Sequence, residues 1–200
     1  MSTTRALMAA GDRVDFREVN DFARGTGWLH GPVVAYTSYG VVLFGVLLVV
    51  GFLLARARRD PLLVARSVLA GAGVVLAVAV NQPIVHAVAE RRPYDQLTGV
   101  LVLVHRSADA SFPSDHATMA GAVAAGLLLV DRRLGLTAAV AAVLMAFSRV
   151  YVGAHFPVDV LAGLAVGVAV ALLVQLAAPA VARLVRRLEA TPVRPVLTAR

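Results

Sequence analysis

The chain has 200 residues, 59% of them apolar and only 16% charged, with a formal net charge of +7. Soluble domains run at about 45–50% apolar and about 25% charged, so this balance excludes a disordered chain, a coiled coil and a nucleic-acid binder, whose phosphate-tracking face needs a denser run of cations. No cysteine is present and all 19 basic residues are arginine, which excludes disulfides, thiolate metal sites, thiol nucleophiles and any lysine chemistry.

The elements follow from hydropathy. Over Val14–Leu29, Phe16, Val19, Phe22 and Trp28 recur at spacings of three and six among Asp15, Glu18 and Arg24, which predicts an amphipathic helix in the membrane interface. A spanning helix needs about 20 mostly apolar residues. Val33–Leu54 supplies 22 without a charge, and Ser67–Ala89 supplies 23, ending in Asn81, Gln82, Pro83 and His86. Ala117–Val130 and Leu134–Phe147 hold only 14 residues each. They reach spanning length when the polar neighbours Pro113–His116 and Ser148–Tyr151 are included, and such groups are tolerated at membrane depth against protein or a water-filled pocket. Val160–Ala182, with 23 residues, closes the series. The expectation is an all-α integral membrane bundle of about five transmembrane helices plus an N-terminal interfacial helix. It forms one domain over residues 1–190, with a C-terminal tail over 191–200.

Arg56, Arg58, Arg59 and Arg66, then Arg132 and Arg133, then Arg183, Arg186 and Arg187 fall on one side of the spans. The positive-inside rule makes that side cytoplasmic, so segments 90–115 and 148–159 face outward.

Three polar clusters lie at helix ends on the outward side: Glu90-Arg91-Arg92-Pro93-Tyr94-Asp95, Ser111-Phe112-Pro113-Ser114-Asp115-His116, and Ser148-Arg149 with His155 and Asp159. Proline is favoured at the first position of a helix, so Pro113 and Pro157 are read as opening the third and fifth spans. The free N–H groups after Pro113 then form an anion site to which Ser114 adds a hydroxyl, and His116 falls in the same turn, placed to deliver a proton. A carboxylate four residues from an imidazole, Asp159 to His155, can fix its tautomer and stabilise its cation, leaving the other ring nitrogen free to attack. Arg92 and Arg149 offer planar forks suited to phosphate oxygens. With no metal-ligand pattern, the set points to phosphoryl transfer through a covalent phosphohistidine, with neither metal nor cofactor. His30 and His86 read as structural, and Arg91 and Arg106 as interfacial anchors.

The pattern Arg92-Pro93, then Pro113-Ser114-x-His116, then Ser148-Arg149-x5-His155-x3-Asp159 resembles the three-part signature of the type 2 phosphatidic-acid phosphatase superfamily. The resemblance implies a helical-bundle phosphatase and a metal-independent mechanism. It implies His155 as nucleophile, Asp159 as its orienting partner and His116 as general acid, with Arg92, Ser114 and Arg149 binding the phosphate. Two positions depart from the family pattern. Val85 stands where a lysine usually begins the first motif, and Asp115 replaces the glycine of Pro-Ser-Gly-His. Both departures are similar to the bacterial undecaprenyl-diphosphatase branch, in which a Ser-Phe-Pro-Ser-Asp-His run follows a lead-in like His105-Arg106-Ser107-Ala108-Asp109. Arg91 and Arg106 are the candidates to supply the missing lysine charge.

The function expected is removal of the terminal phosphate of a polyprenyl diphosphate at the outer face of the bacterial plasma membrane, with the lipid diphosphate as partner and no nucleic acid. The rival readings are a phosphatase of phosphatidylglycerophosphate or another lipid phosphate, and a non-catalytic membrane transporter or scaffold.

Overall fold

The computed structural model describes the backbone of residues 3–188 and the side chains of residues 11–188. Among them, α-helices follow in chain order as α1 (Thr3–Gly25), α2 (His30–Ala57), α3 (Pro61–Val88), the one-turn α4 (Pro93–Gln96), α5 (Asp115–Leu128), α6 (Arg132–Tyr151), α7 (Pro157–Gln175) and α8 (Ala178–Leu188). The described residues contain no β-strand, so the all-α expectation holds. The tail expected over 191–200 lies outside the described residues.

Four helical stretches are long and apolar enough to cross a bilayer: Gly27–Ala57, Pro61–Gln96, Arg132–Tyr151 and Pro157–Gln175. The remaining expected span, third in chain order, is α5, whose 14 residues rise about 21 Å against a hydrocarbon core of about 30 Å. Its place explains how so short a helix sits there. Ten of its 14 residues, all between Ala117 and Leu127, are buried, and it packs between α3, α6 and α7, so protein rather than lipid surrounds most of its length. Phe44, Leu47, Val123, Leu127 and Met145 form the largest core cluster around it. The approach to α7 depends on small residues, as helix contacts in lipid generally do: a Cβ at Gly167 would run into the Thr118 carbonyl. Val42, Val75, Val140, Leu161 and Leu173 point away from the core, as lipid-facing side chains should.

Two local differences from the sequence expectation stand out. The last apolar run, Val160–Ala182, is two helices: α7 ends at Gln175, and α8 buries Ala182 and Val185 against Ala55, Val64, Ala65 and Val130. Pro179 falls at the second position of α8, where its missing N–H leaves no bond unmade. Pro113 does not open α5. The N-cap is the extended Ser114, whose N–H goes to the Asp159 carbonyl at 3.0 Å, while the Pro113 carbonyl accepts from Asn81 Nδ2 at 3.1 Å. Pro157, by contrast, does open α7.

The N-terminal helix forms, and it lies across one end of the bundle. Phe16 is fully buried with its ring edge-on to Phe156, centroids 5.4 Å apart. The Asn20 amide bonds the Leu101 backbone in both directions at 2.9 Å. His30 contacts the Ala23 carbonyl through Nε2 at 2.8 Å, the structural role read for it. The buried stripe of α1 therefore faces protein, while Val14, Phe22 and Trp28 stay exposed.

Candidate active site

All three sequence clusters converge at the end of the bundle that α1 covers. The chain leaves α3 through Ala89, in the left-handed region at φ 48, and this turns it inward so that Arg92 is buried beneath the 107–111 loop. Glu90 and Ser111 are tied there, the Ser111 N–H donating to the Glu90 carbonyl at 2.7 Å. Gly153, at φ 79, makes the tight turn from α6 towards α7, and His155 follows it, 3% exposed.

Arg92 holds the nearby backbone and the histidine together. Its Nε donates to the Asp109 carbonyl at 3.0 Å and its Nη1 to the Ala154 carbonyl at 3.1 Å. The same Nη1 lies 3.2 Å from His155 Nε2. On the other side of the ring, His155 Nδ1 lies 2.9 Å from the Ser111 carbonyl. Burial, with the Arg149 and Arg92 charges beside it, holds the His155 imidazole well below its usual pKa, so the ring is neutral. A carbonyl can only accept and a guanidinium can only donate. The single ring proton therefore sits on Nδ1, and Nε2 presents a lone pair.

Asp159 is fully buried one helical turn along. Its Oδ2 is 3.5 Å from His155 Nδ1, farther than the Ser111 carbonyl. That oxygen accepts instead from the Phe156 N–H at 2.8 Å and from the Ser111 hydroxyl. Arg149 is anchored through Nη1 to Thr37 Oγ1 at 3.2 Å. Its Nε and the Ser114 hydroxyl are buried and find no partner among the described residues. Arg149 lines the same cavity as His155, and a buried donor there without an acceptor is what a tetrahedral anion would complete.

A cavity of about 630 Å³ opens onto these groups, lined by Arg92, His116, Arg149 and His155 together with Asp115 and the α3 residues Gln82, Val85 and His86. Neither Arg91 nor Arg106 lines it. Arg106 stacks over the Tyr94 ring at 5.2 Å, so neither candidate replaces the family lysine there. The Val85 position is apolar wall, and the α3 side chains beside it are Gln82 and His86; His86 is thus on the cavity rather than merely structural. Asp115 is held by two α3 amides, Asn81 Nδ2 at 2.8 Å and Gln82 Nε2 at 2.9 Å. Among the described residues no group of three or more His, Asp or Glu is placed to hold a metal.

Ser111 and Thr37 are the members that the sequence alone did not mark with a role. Thr37 lies 112 positions from the arginine it anchors, beyond the reach of any local pattern. Ser111 stood inside a recognised cluster, but its partners are 44 and 48 positions away.

Apolar helices that enclose a histidine- and arginine-lined pocket at one end fit the class of membrane-embedded phosphatases. The chain belongs to the PAP2 superfamily, whose family model matches residues 66–182. It is 31% identical over 158 residues to undecaprenyl-diphosphatase BcrC of Bacillus subtilis, covering 79% of each chain. It is 35% identical over 151 residues to decaprenylphosphoryl-5-phosphoribose phosphatase of Mycobacterium tuberculosis, covering 72% of this chain and 80% of that one. Its fold matches the crystal structure of a PAP2-type phosphatidylglycerolphosphate phosphatase from Bacillus subtilis with a TM-score of 0.62 at 22% identity, over 84% of this chain and 85% of the other.

Proposed function

We propose that this lipid phosphatase hydrolyses a polyprenyl diphosphate of the undecaprenyl type to the monophosphate, through a phosphohistidine on His155. The observation that carries the reading is the neutral, buried imidazole of His155, its Nε2 lone pair held by Arg92 Nη1 at a cavity lined also by Arg149 and His116, where Arg149 Nε has no acceptor among the described residues. The relatives support the substrate class, since BcrC and the mycobacterial phosphatase are both named for polyprenyl-linked phosphates.

In the first step Nε2 attacks the terminal phosphorus, the bond from phosphorus to the bridging oxygen breaks, and His116, protonated as the negative charge of the diphosphate enters beside it, gives that oxygen its proton. Arg92, Arg149, the Ser114 hydroxyl and the N–H groups at the start of α5 stabilise the charge that gathers on the equatorial oxygens. In the second step His116 takes a proton from water as the water oxygen bonds to phosphorus. The P–N bond breaks, and orthophosphate leaves with Nε2 restored. The arginines of the opposite end support a site at the outer face of the bacterial plasma membrane.

The test is phosphate release from purified protein, with undecaprenyl diphosphate, phosphatidylglycerophosphate and a polyprenyl-phosphosugar phosphate in parallel, each with and without EDTA. Fastest turnover on the diphosphate, unchanged by EDTA, is expected. Preference for another lipid overturns the substrate assignment, and loss with EDTA that Mg²⁺ restores overturns the mechanism.

A further inference from the structure

We propose that Ser111 is the positioning residue through which Asp159 acts on His155; the proposal rests on His155 being the nucleophile. The three residues form a relay rather than a direct pair. The Ser111 carbonyl accepts the Nδ1 proton at 2.9 Å, and the Ser111 hydroxyl donates to Asp159 Oδ2. That carboxylate oxygen lies 3.5 Å from Nδ1 and already holds the Phe156 N–H at 2.8 Å. Nδ1 has one proton to give, and the nearer acceptor is the carbonyl. The tautomer is thus set from both sides without Asp159, by the Ser111 carbonyl on Nδ1 and the Arg92 guanidinium at 3.2 Å from Nε2.

Asp159 has a different task in this arrangement. It fastens residue 111 to the start of α7, so that the carbonyl stays aimed at the ring, and it keeps a negative charge close to the cation that forms when Nε2 is phosphorylated. Ser111 has no freedom to do otherwise. It is 0% exposed, its N–H is taken by the Glu90 carbonyl at 2.7 Å, and its hydroxyl reaches Asp159. One residue therefore ties the segment between α3 and α4 that carries Arg92, the loop carrying His155 and the first turn of α7.

Two measurements on the full chain in detergent test this. In the first, ¹⁵N-histidine NMR of resting protein, assigned by difference against His155→Gln, reads which ring nitrogen of His155 carries the proton. Asp159→Asn leaves Oδ1 to accept from Ser111 and Phe156, so the Nδ1–H form is expected to persist. Transfer of the proton to Nε2 in this variant would show direct control by Asp159 and overturn the proposal. In the second, Ser111→Ala lowers kcat about tenfold to a hundredfold at unchanged KM, the scale expected on losing a hydrogen bond to a buried charge. In an Asp159→Ala background, where the hydroxyl has nothing to hold, the same change costs less than about threefold. An equal loss in both backgrounds, or no loss in either, overturns the relay. If Ser111→Ala fails to fold, the Asp159→Asn spectrum alone decides. That spectrum needs no substrate, so its failure is distinct from failure of the phosphatase reading, which would show as wild-type protein releasing no phosphate.

Discussion

The two ends of the bundle treat their helix N-termini in opposite ways. At the arginine-rich end, α3 and α6 are capped by their own side chains: Asp60 accepts from the Leu62 N–H at 2.8 Å and Asp131 from the Leu134 N–H at 3.0 Å. At the site end, Ser114 makes no side-chain cap bond, and α7 is served by groups that also belong to the site or to α1, namely Asp159 at Phe156 and Asp12 at Val158. A carboxylate cap satisfies the orphan N–H groups and neutralises the positive helix end. α5 has no cap bond at Ser114, and its first-turn carboxylate, Asp115, is drawn off to the Asn81 and Gln82 amides, so its first N–H groups stay available to an anion. One end of the molecule caps its helices with its own side chains, and the other leaves the start of α5 uncapped.

The sharpest way to break this contrast is to ask whether the two ends face different compartments. The chain lacks cysteine, so single cysteines at Thr98 and Leu134 can be labelled without background. An impermeant thiol reagent on cells, with any outer membrane permeabilised, is expected to modify Thr98→Cys and spare Leu134→Cys. The reverse result would place the open end in the cytoplasm and favour a biosynthetic role. Within the open end, His155→Ala is expected to abolish turnover and His116→Ala to slow it severely, since groups that act as a unit cost several orders of magnitude when removed. Near wild-type phosphate release from His155→Ala would end the phosphohistidine reading. Arg149→Gln should lower kcat by about 10²–10³, as loss of one preorganised donor does.

Smaller effects separate the ends by pH. Hydrogen bonds from the Leu134 N–H and Arg58 hold Asp131 below its ordinary 3.8. Its contribution to stability is present above that value and lost as pH falls through the depressed one. Burial pushes Asp12 up from 3.8 to about 6. The folded state then binds the proton more tightly, so this contribution is present below 3.8 and lost as pH rises through 6. Thermal scans should therefore show Asp131→Asn melting below wild type near neutrality, with the gap closing in acid. Asp12→Asn should melt above wild type near neutrality, with that gap also closing towards pH 4. Matching signs for the two variants at neutral pH would contradict the contrast. The smallest effect belongs to Asp60→Ala: a loss of about 1 kcal/mol in stability with kcat unchanged.

How much of this the sequence carried depends on range. Spans were legible because hydropathy is a local property, and Pro157 marked the start of α7 because a first-turn proline acts on its own helix. Pro113 misled for the opposite reason. What delays α5 is the Ser114 N–H bonded to the Asp159 carbonyl, a contact with no local trace. The six expected site residues gather at one end of the bundle, yet their partners were hidden. Nothing near Arg149 in sequence announces Thr37, and the four-residue spacing of His155 and Asp159 suggested a direct pair where Ser111 intervenes. Short side-chain motifs show which groups are present, whereas which atom holds which proton follows from long-range backbone placement.

The bond from Val158 to Asp12 joins residues 146 positions apart, and this has a consequence for the order in which the protein is made. At about 5–20 residues per second, α1 leaves the ribosome on the order of ten seconds before the segment it must cover. During that interval Phe16 has no Phe156 to pack on, and the amphipathic face of α1 has only the bilayer surface to rest against. α1, made before the elements it covers, therefore docks after them, once α7 is in place. A nascent chain halted before residue 155 would carry Arg149 of α6 and the start of α5 without His155, and so could not act on lipid through the proposed phosphohistidine.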